Sequence, residues 1–305
     1  MIKKQIDYFN VSQIAGSGQC FRMVPEEPGG PAGPRTETEG GWYRVISGEH
    51  FLMIRQENDI IEFDCPEAES GFWQRYFDLD TDYGAVIRGI PEKDRYLTEA
   101  ARAGQGIRIL RQDAWEMILS FIISQQKTIP KIREAVEALS RRFGTEHRTA
   151  VLRGSQDGQV YHSFPRPEQL SGVSLEDFKN LKLGYRAKYI HAICQDAASG
   201  ALDLDHLAAL DYAGAMEYLT GFYGIGTKVA NCICLFGLHH IEAFPVDTWI
   251  QKILMREYYD GHKYRKIPRS RLCETMVRDH FDTGCGGILQ QYIFNYERNV
   301  RSRRD

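Results

Sequence analysis

The sequence predicts an α+β protein, with an N-terminal antiparallel β-sheet domain over residues 1–104 and a larger all-helical domain over 105–305. Three observations lead to that reading. Short β-type runs separated by turn formers fill the first part of the chain. From about residue 105 the apolar spacing turns helical. Pro130 then opens one helical segment that Gly144 ends, and Gly200 follows the end of another, as helix start and stop signals do.

The strand runs are Gly41–Ser47, His50–Arg55 and Ile60–Phe63, and Ser47-Gly48 and Glu57-Asn58-Asp59 between them read as turns of a meander. The Gly/Pro-rich stretch from Pro25 to Gly41 reads as a loop between strands. Beyond residue 105, Trp115, Ile118, Leu119, Ile122 and Ile123 recur at i, i+3, i+4, i+7 and i+8, which marks a buried helical stripe. Ile132, Val136, Leu139 and Phe143 line the next helix. Further helices are predicted over Arg186–Ser199, Thr227–Gly237, Asp247–Tyr258, Ser270–His280 and Ile288–Arg298.

With 43% hydrophobic and 26% charged residues, the 305-residue chain is no disordered polymer. No run approaches the ~18 apolar residues that span a bilayer. The start, Met1-Ile2-Lys3-Lys4, has no apolar block of the signal-peptide kind, so the expected location is the cytoplasm, beside the nucleoid in a bacterium. Seven cysteines without paired metal spacing read as reduced thiols. The net charge of −3 taken alone argues against a nucleic-acid partner. Its distribution argues otherwise. Nine acids against Arg75 alone lie between Glu57 and Asp82, a net of −8 that leaves +5 for the rest. Basic clusters occur at 127–142, 179–188 and 252–271, compatible with one acidic region and one basic, binding region.

The most informative stretch runs from Leu219 to Cys232, where one helix ends, Gly224-Ile225-Gly226 turns, and another helix starts at once. Glycines let backbone amides approach a partner, and amides at a helix N-terminus favour a phosphate. Lys228 sits in that first turn, where the helix dipole disfavours a cation, which makes it a candidate amine nucleophile. Asp247 directly precedes a helical run and reads first as an N-cap. A carboxylate there could also stabilise an oxocarbenium-like transition state.

Helix–Gly-x-Gly–helix with Lys228, over about 215–238, and the downstream Pro245-Val246-Asp247 resemble the helix-hairpin-helix DNA glycosylase superfamily. Gly18-Gln19-Cys20-Phe21, Tyr76–Asp80, Leu110–Asp113, Ser120–Ser124 and Leu181–Tyr189 resemble its 8-oxoguanine branch, in order along nearly the whole chain. The resemblance implies a two-lobed helical domain and a bifunctional glycosylase/AP lyase acting on double-stranded DNA that contains 8-oxoguanine. It implies Lys228 as the nucleophile at C1′ and Asp247 as the essential carboxylate, with no metal and no organic cofactor in the chemistry. Cys232 and Phe294 would sandwich the flipped base, Gln290 would read its edge, and the Gly18 carbonyl would accept the N7–H of the oxidised guanine. Gly224, Gly226, Thr248 and Trp249 would face DNA. Gln126, Lys131 and Arg186 stand where eukaryotic members read the opposite cytosine with one asparagine and two arginines. Lysine lacks the bidentate fork of arginine, so weaker discrimination of the opposite base is expected. Trp249 replaces a family histidine and Asn231 a family aspartate. A monomer without membrane contact is expected. The competing readings are an alkylated-base glycosylase and a non-catalytic helix-hairpin-helix DNA-binding protein. An iron–sulfur relative is disfavoured because Cys273 and Cys285 cannot supply four ligands.

Overall fold

The computed structural model describes residues 1–26, 41–149 and 158–300. The strands Ile2–Gln5 (β1), Met23–Glu26 (β2), Trp42–Ser47 (β3), His50–Glu57 (β4) and Ile60–Asp64 (β5) form one antiparallel sheet in the order β1-β5-β4-β3-β2. The meander of β3, β4 and β5 follows the alternation. Register pairs Val45 with Leu52, and Tyr43 and Phe63 with Ile54, so one face carries the apolar set. That face buries against Ile14, Trp73, Tyr76 and Phe77. The stretch read as a loop lies outside the described residues from 27 to 40, and Pro25 and Glu26 close β2.

The first hundred residues also hold helices that strand alternation does not signal: Val11–Gly16, Ser70–Tyr76, Tyr83–Arg88 and Arg95–Gly104. Three are started by side-chain caps, in which Asn10, Asp82 and Asp94 accept from Gln13 N, Ala85 N and Leu97 N. In the last, Leu97, Ala100 and Ala101 belong to the helical core and not to the sheet core. Conversely, a small ladder of Glu146–Arg148 (β6) and Val160–His162 (β7) interrupts the helical part. Its Tyr161 packs on Ile46 and Phe51 at the outer face of the sheet.

At the centre of the helical part lies Ala114–Ser124, capped by Asp113. Its spacing predicts a one-sided stripe, yet Trp115 through Ile123 are all buried. The reason is its neighbours: Ile129–Phe143, Arg186–Ser199 and Thr227–Gly237 pack around it. Each Ile, Leu or Phe so buried contributes about 1.5–3 kcal/mol relative to exposure. Helices at Thr248–Glu257 and Arg269–Phe281 match the expected spans within a residue. The last expected helix starts at Gly286, runs to Asn295 and continues as a π-helical turn over Tyr296–Val300. There Glu297 accepts from Tyr96 and Arg256.

Two buried polar side chains join the sheet half to the helical half. Arg108, 3% exposed, donates to the carbonyls of Phe77, Asp78, Thr81, Asp7 and Tyr8 and lies over the Tyr83 ring. Gln19 is fully buried; its Nε2 donates to Arg108 O at 2.9 Å and its Oε1 accepts from Leu110 N at 2.8 Å. Gln112 Nε2 returns a bond to Gln19 O at 3.0 Å.

The hairpin consists of Tyr212–Thr220, a turn, and Thr227–Gly237. Tyr212 Oη donates to Asn231 Oδ1 at 2.7 Å, and Asn231 Nδ2 donates to Thr227 O, so the amide at 231 ties one hairpin helix to the other. The two glycines of the turn differ. Gly224 has φ +93°, and a Cβ there would fall 2.4 Å from Tyr189 Cγ; Gly226 has φ −91°, with open space at its Cβ position.

Two outcomes follow for stability. Arg108→Met leaves five carbonyls without this donor, those of Phe77 and Asp78 on buried residues, and is expected to lower the unfolding free energy by about 2–4 kcal/mol, read as a shifted urea midpoint. Gly224→Ala is expected to cost about 1–3 kcal/mol through strain at positive φ, before the displacement of Tyr189 is counted. Gly226→Ala, at an N-cap with ordinary φ, is expected to cost less, about 0.5–1 kcal/mol. Equal melting temperatures for the two glycine variants would contradict this account of the turn.

Candidate active site

The hairpin's second helix starts at Thr227, so Lys228, Cys232 and Phe236 recur at i, i+4 and i+8 on one face. All three line a cleft of about 90 Å³ that opens to solvent. The loop 238–247 contributes Pro245 and Asp247, the helix Gly286–Asn295 contributes Gln290, Gln291 and Phe294, and the sheet half contributes Ser17 and Gly18. Phe121 of the central helix completes the lining. The cleft therefore gathers Lys228, Asp247, Gly18, Cys232, Gln290 and Phe294, the six residues expected in the catalytic pair and base pocket.

Lys228 is half-buried, and its Nζ lies 5.6 Å from the centre of the Phe121 ring, which itself stacks on Phe236. A cation over an aromatic face is attracted by the ring quadrupole. Burial pushes the Cys232 thiol up, and the neighbouring Lys228 only partly opposes this. Cys232 is thus a neutral wall and not a second nucleophile. Asp247 Oδ1 accepts from Trp249 N at 2.9 Å and Ile250 N at 2.8 Å. The capping that its position suggests is real, and it anchors the carboxylate at the edge of the cleft.

Gly18 has φ +81°, and a Cβ there would lie 3.2 Å from Ile129 Cδ1 and 3.8 Å from Phe294 Cε1. Its neighbour Gln19 is the buried clamp already described. The preceding helix ends in carbonyls that take cations, Ala15 O from Arg133 and Gly16 O from Arg298. The loop bearing Gly18 is held on both sides.

The residues expected to face DNA lie outside the cleft lining. Gly226, Thr248 and Trp249 are exposed, and Gly224 O accepts from Gln125 Nε2 at 3.0 Å. Gln126 is exposed with φ +52°, at the end of the central helix. Lys131 is engaged with Glu134 at 2.6 Å on the surface. Arg186 is 7% exposed and folds inward, with Nε and Nη2 donating to Gln125 O and Nη1 to Leu183 O. Gln125 thereby touches both the hairpin turn and Arg186.

The motifs did not single out Phe121, Phe236, Pro245 or Gln291 as site residues. Phe236 was within reach, since it extends the i, i+4 spacing of Lys228 and Cys232 by another turn. Gln291 was not, because a residue adjacent to Gln290 points elsewhere on an ideal helix.

Residues 1–118 match the family model "8-oxoguanine DNA glycosylase, N-terminal domain", and residues 119–277 match "HhH-GPD superfamily base excision DNA repair protein". The chain is 33% identical to the N-glycosylase/DNA lyase of Saccharomyces cerevisiae over 303 residues, covering 88% of this chain and 76% of that protein. It is 30% identical to a probable N-glycosylase/DNA lyase of Methanothermobacter thermautotrophicus, covering 81% of this chain and 79% of that one. Among solved structures, the Clostridium acetobutylicum 8-oxoguanine glycosylase/lyase, in complex with duplex DNA containing cytosine opposite 8-oxoG, superposes with a TM-score of 0.82 at 29% identity. That match covers 100% of this chain and 98% of the other. With one cleft shared between the sheet loop and the hairpin, and both halves matched, the chain belongs to the 8-oxoguanine DNA glycosylase family of the HhH-GPD superfamily of base excision DNA repair proteins.

Proposed function

We propose that this protein is a bifunctional DNA glycosylase/AP lyase that removes 8-oxoguanine from duplex DNA in base excision repair, with Lys228 as nucleophile and Asp247 as the essential carboxylate. The observation that carries the reading is the shared cleft. Lys228 and a carboxylate from another element line one pocket whose walls, Cys232, Phe294 and Gln290, suit an extruded purine.

The chemistry proceeds from these positions. The base leaves C1′ with its bonding electrons while the sugar takes on oxocarbenium character, and the anchored Asp247 carboxylate stabilises that charge. The Lys228 amine, its ammonium proton passed to the departing base, forms the new bond to C1′ and, after ring opening, holds the sugar as a Schiff base. Loss of a C2′ proton then expels the 3′ phosphate by β-elimination, and hydrolysis of the imine returns Lys228. Cys232 and Phe294 offer the base a flat slot. Gly18 O is the acceptor for the N7–H that the oxidised purine carries and guanine lacks. Gly226 and the open amides of its helix suit a backbone phosphate. The inward fold of Arg186 and the pairing of Lys131 favour the weaker opposite-base discrimination expected from the sequence.

Borohydride reduction on an 8-oxoguanine duplex is expected to trap wild type covalently on DNA and to give no adduct with Lys228→Gln; an adduct that persists removes Lys228 as nucleophile. Asp247→Asn keeps an oxygen to cap the helix but loses the charge. Excision is expected to fall about 10²–10³-fold with duplex binding retained. Excision close to the wild-type rate would remove Asp247 from the chemistry.

A further inference from the structure

The cleft holds two adjacent buried amides, Gln290 and Gln291, 5% and 4% exposed, although a reader of the base edge needs one. They are linked in series. Gln290 Nε2 donates to Pro245 O at 3.3 Å, and Gln291 Nε2 donates to Gln290 Oε1 at 2.9 Å. The order has one sense only. A backbone carbonyl of proline can accept and never donate, so it selects the nitrogen of Gln290. The oxygen of Gln290 is left to Gln291, which must then present its own nitrogen. Reversing Gln290 alone would set its oxygen against Pro245 O and its nitrogen against another nitrogen. Gln291 meanwhile keeps its own Oε1 buried with no hydrogen-bond partner among the described residues. A buried acceptor without a donor costs free energy, so the orientation of Gln291 is not set for the sake of its oxygen. The donation to Gln290 is the bond that orients it.

We infer that Gln291 is a positioning residue that locks the Gln290 amide in one flip state, and that this lock makes the pocket select a 6-oxopurine over a 6-aminopurine. The inference rests on the proposed function. With one hydrogen of Gln290 Nε2 on Pro245 O and one lone pair of Oε1 on Gln291, Gln290 has one donor and one acceptor left for a ligand. A guanine edge offers an acceptor at O6 beside a donor at N1–H. An adenine edge offers a donor at the 6-amino group beside an acceptor at N1. The two edges are reversed copies of each other. A carboxamide free to flip would satisfy either, and a locked one satisfies a single sense. Pro245 lies two residues before Asp247, so the lock is referenced to the same loop that carries the carboxylate.

The test compares single-turnover excision from duplexes carrying 8-oxoguanine or 8-oxoadenine, and cleavage of a pre-formed abasic site, for wild type, Gln291→Met and Gln291→Glu. Methionine keeps the length of the side chain and removes the donor. In Gln291→Met, excision of 8-oxoguanine relative to abasic-site cleavage is expected to fall about tenfold, the scale of one buried hydrogen bond, and the preference over 8-oxoadenine to narrow by a similar factor. Gln291→Glu can donate to Gln290 only as the protonated acid, so its preference is expected to recover as pH falls, in a profile wild type does not share. If Gln291→Met keeps the wild-type preference within twofold, or loses abasic-site cleavage in proportion to excision, the lock is overturned. If wild type itself leaves 8-oxoguanine in place, it is the functional reading that fails.

Discussion

The sheet half's side of the cleft is anchored by a fully buried glutamine, Gln19, which is hydrogen-bonded to the main chain at 108 and 110 and is answered by Gln112. Its neighbour Gly18 is the sheet half's contribution to a pocket otherwise built by helices. Gly18, proposed to offer its backbone carbonyl, has no side chain with which to hold itself. Its accuracy is the accuracy of its anchors. Gln19 on one side, and Arg133 and Arg298 on the carbonyls of Ala15 and Gly16 on the other, provide them. Because these bonds are made in the folded protein, ordering the loop adds nothing to the cost of binding. Arg108 extends the same constraint to the chain around Phe77–Thr81, so the acidic segment and the pocket loop share one buried scaffold.

The acids of that segment explain why net charge misleads here. Asp78 is buried, bonded by Tyr83 and paired with Arg111. Glu62 is buried between Lys3 and Arg55, which hold its carboxyl down at about 2. These two of the nine acids are structural ions facing bases inside the sheet half, while Glu57, Asp59, Glu67, Asp80 and Asp82 are exposed. The helical half carries the hairpin, the cleft and the excess of bases. An overall sum mixes two populations that meet different surroundings.

Most of the architecture was legible because it depends on local periodicity and on caps. The meander could be read from alternation, and the helices Arg186–Ser199 and Thr227–Gly237 could be read to the residue. What escaped were short helices such as Tyr83–Arg88, whose starts are set by single capping aspartates, and the β6–β7 ladder, whose strands have three residues each. Such segments carry too few residues for a period to register. The site divides in the same way. Lys228 and Cys232 share one helix face, and spacing reveals that. Gly18, Phe121 and Pro245 reach the cleft through tertiary packing, on which spacing is silent. The inward turn of Arg186 onto Gln125 O was also invisible, since a basic residue in a basic cluster reads as exposed.

The neutral wall at Cys232 has a redox consequence. Oxidants react with sulfur chiefly as the thiolate, and burial keeps that form scarce here despite the adjacent ammonium. A protein whose proposed substrate is produced by oxidative stress works in the presence of the agents that make it. A sulfenate or sulfinate in this slot would introduce a polar, anionic group where a flat base must stack. Holding the sulfur protonated and out of solvent therefore spares the pocket the kind of damage it is proposed to repair.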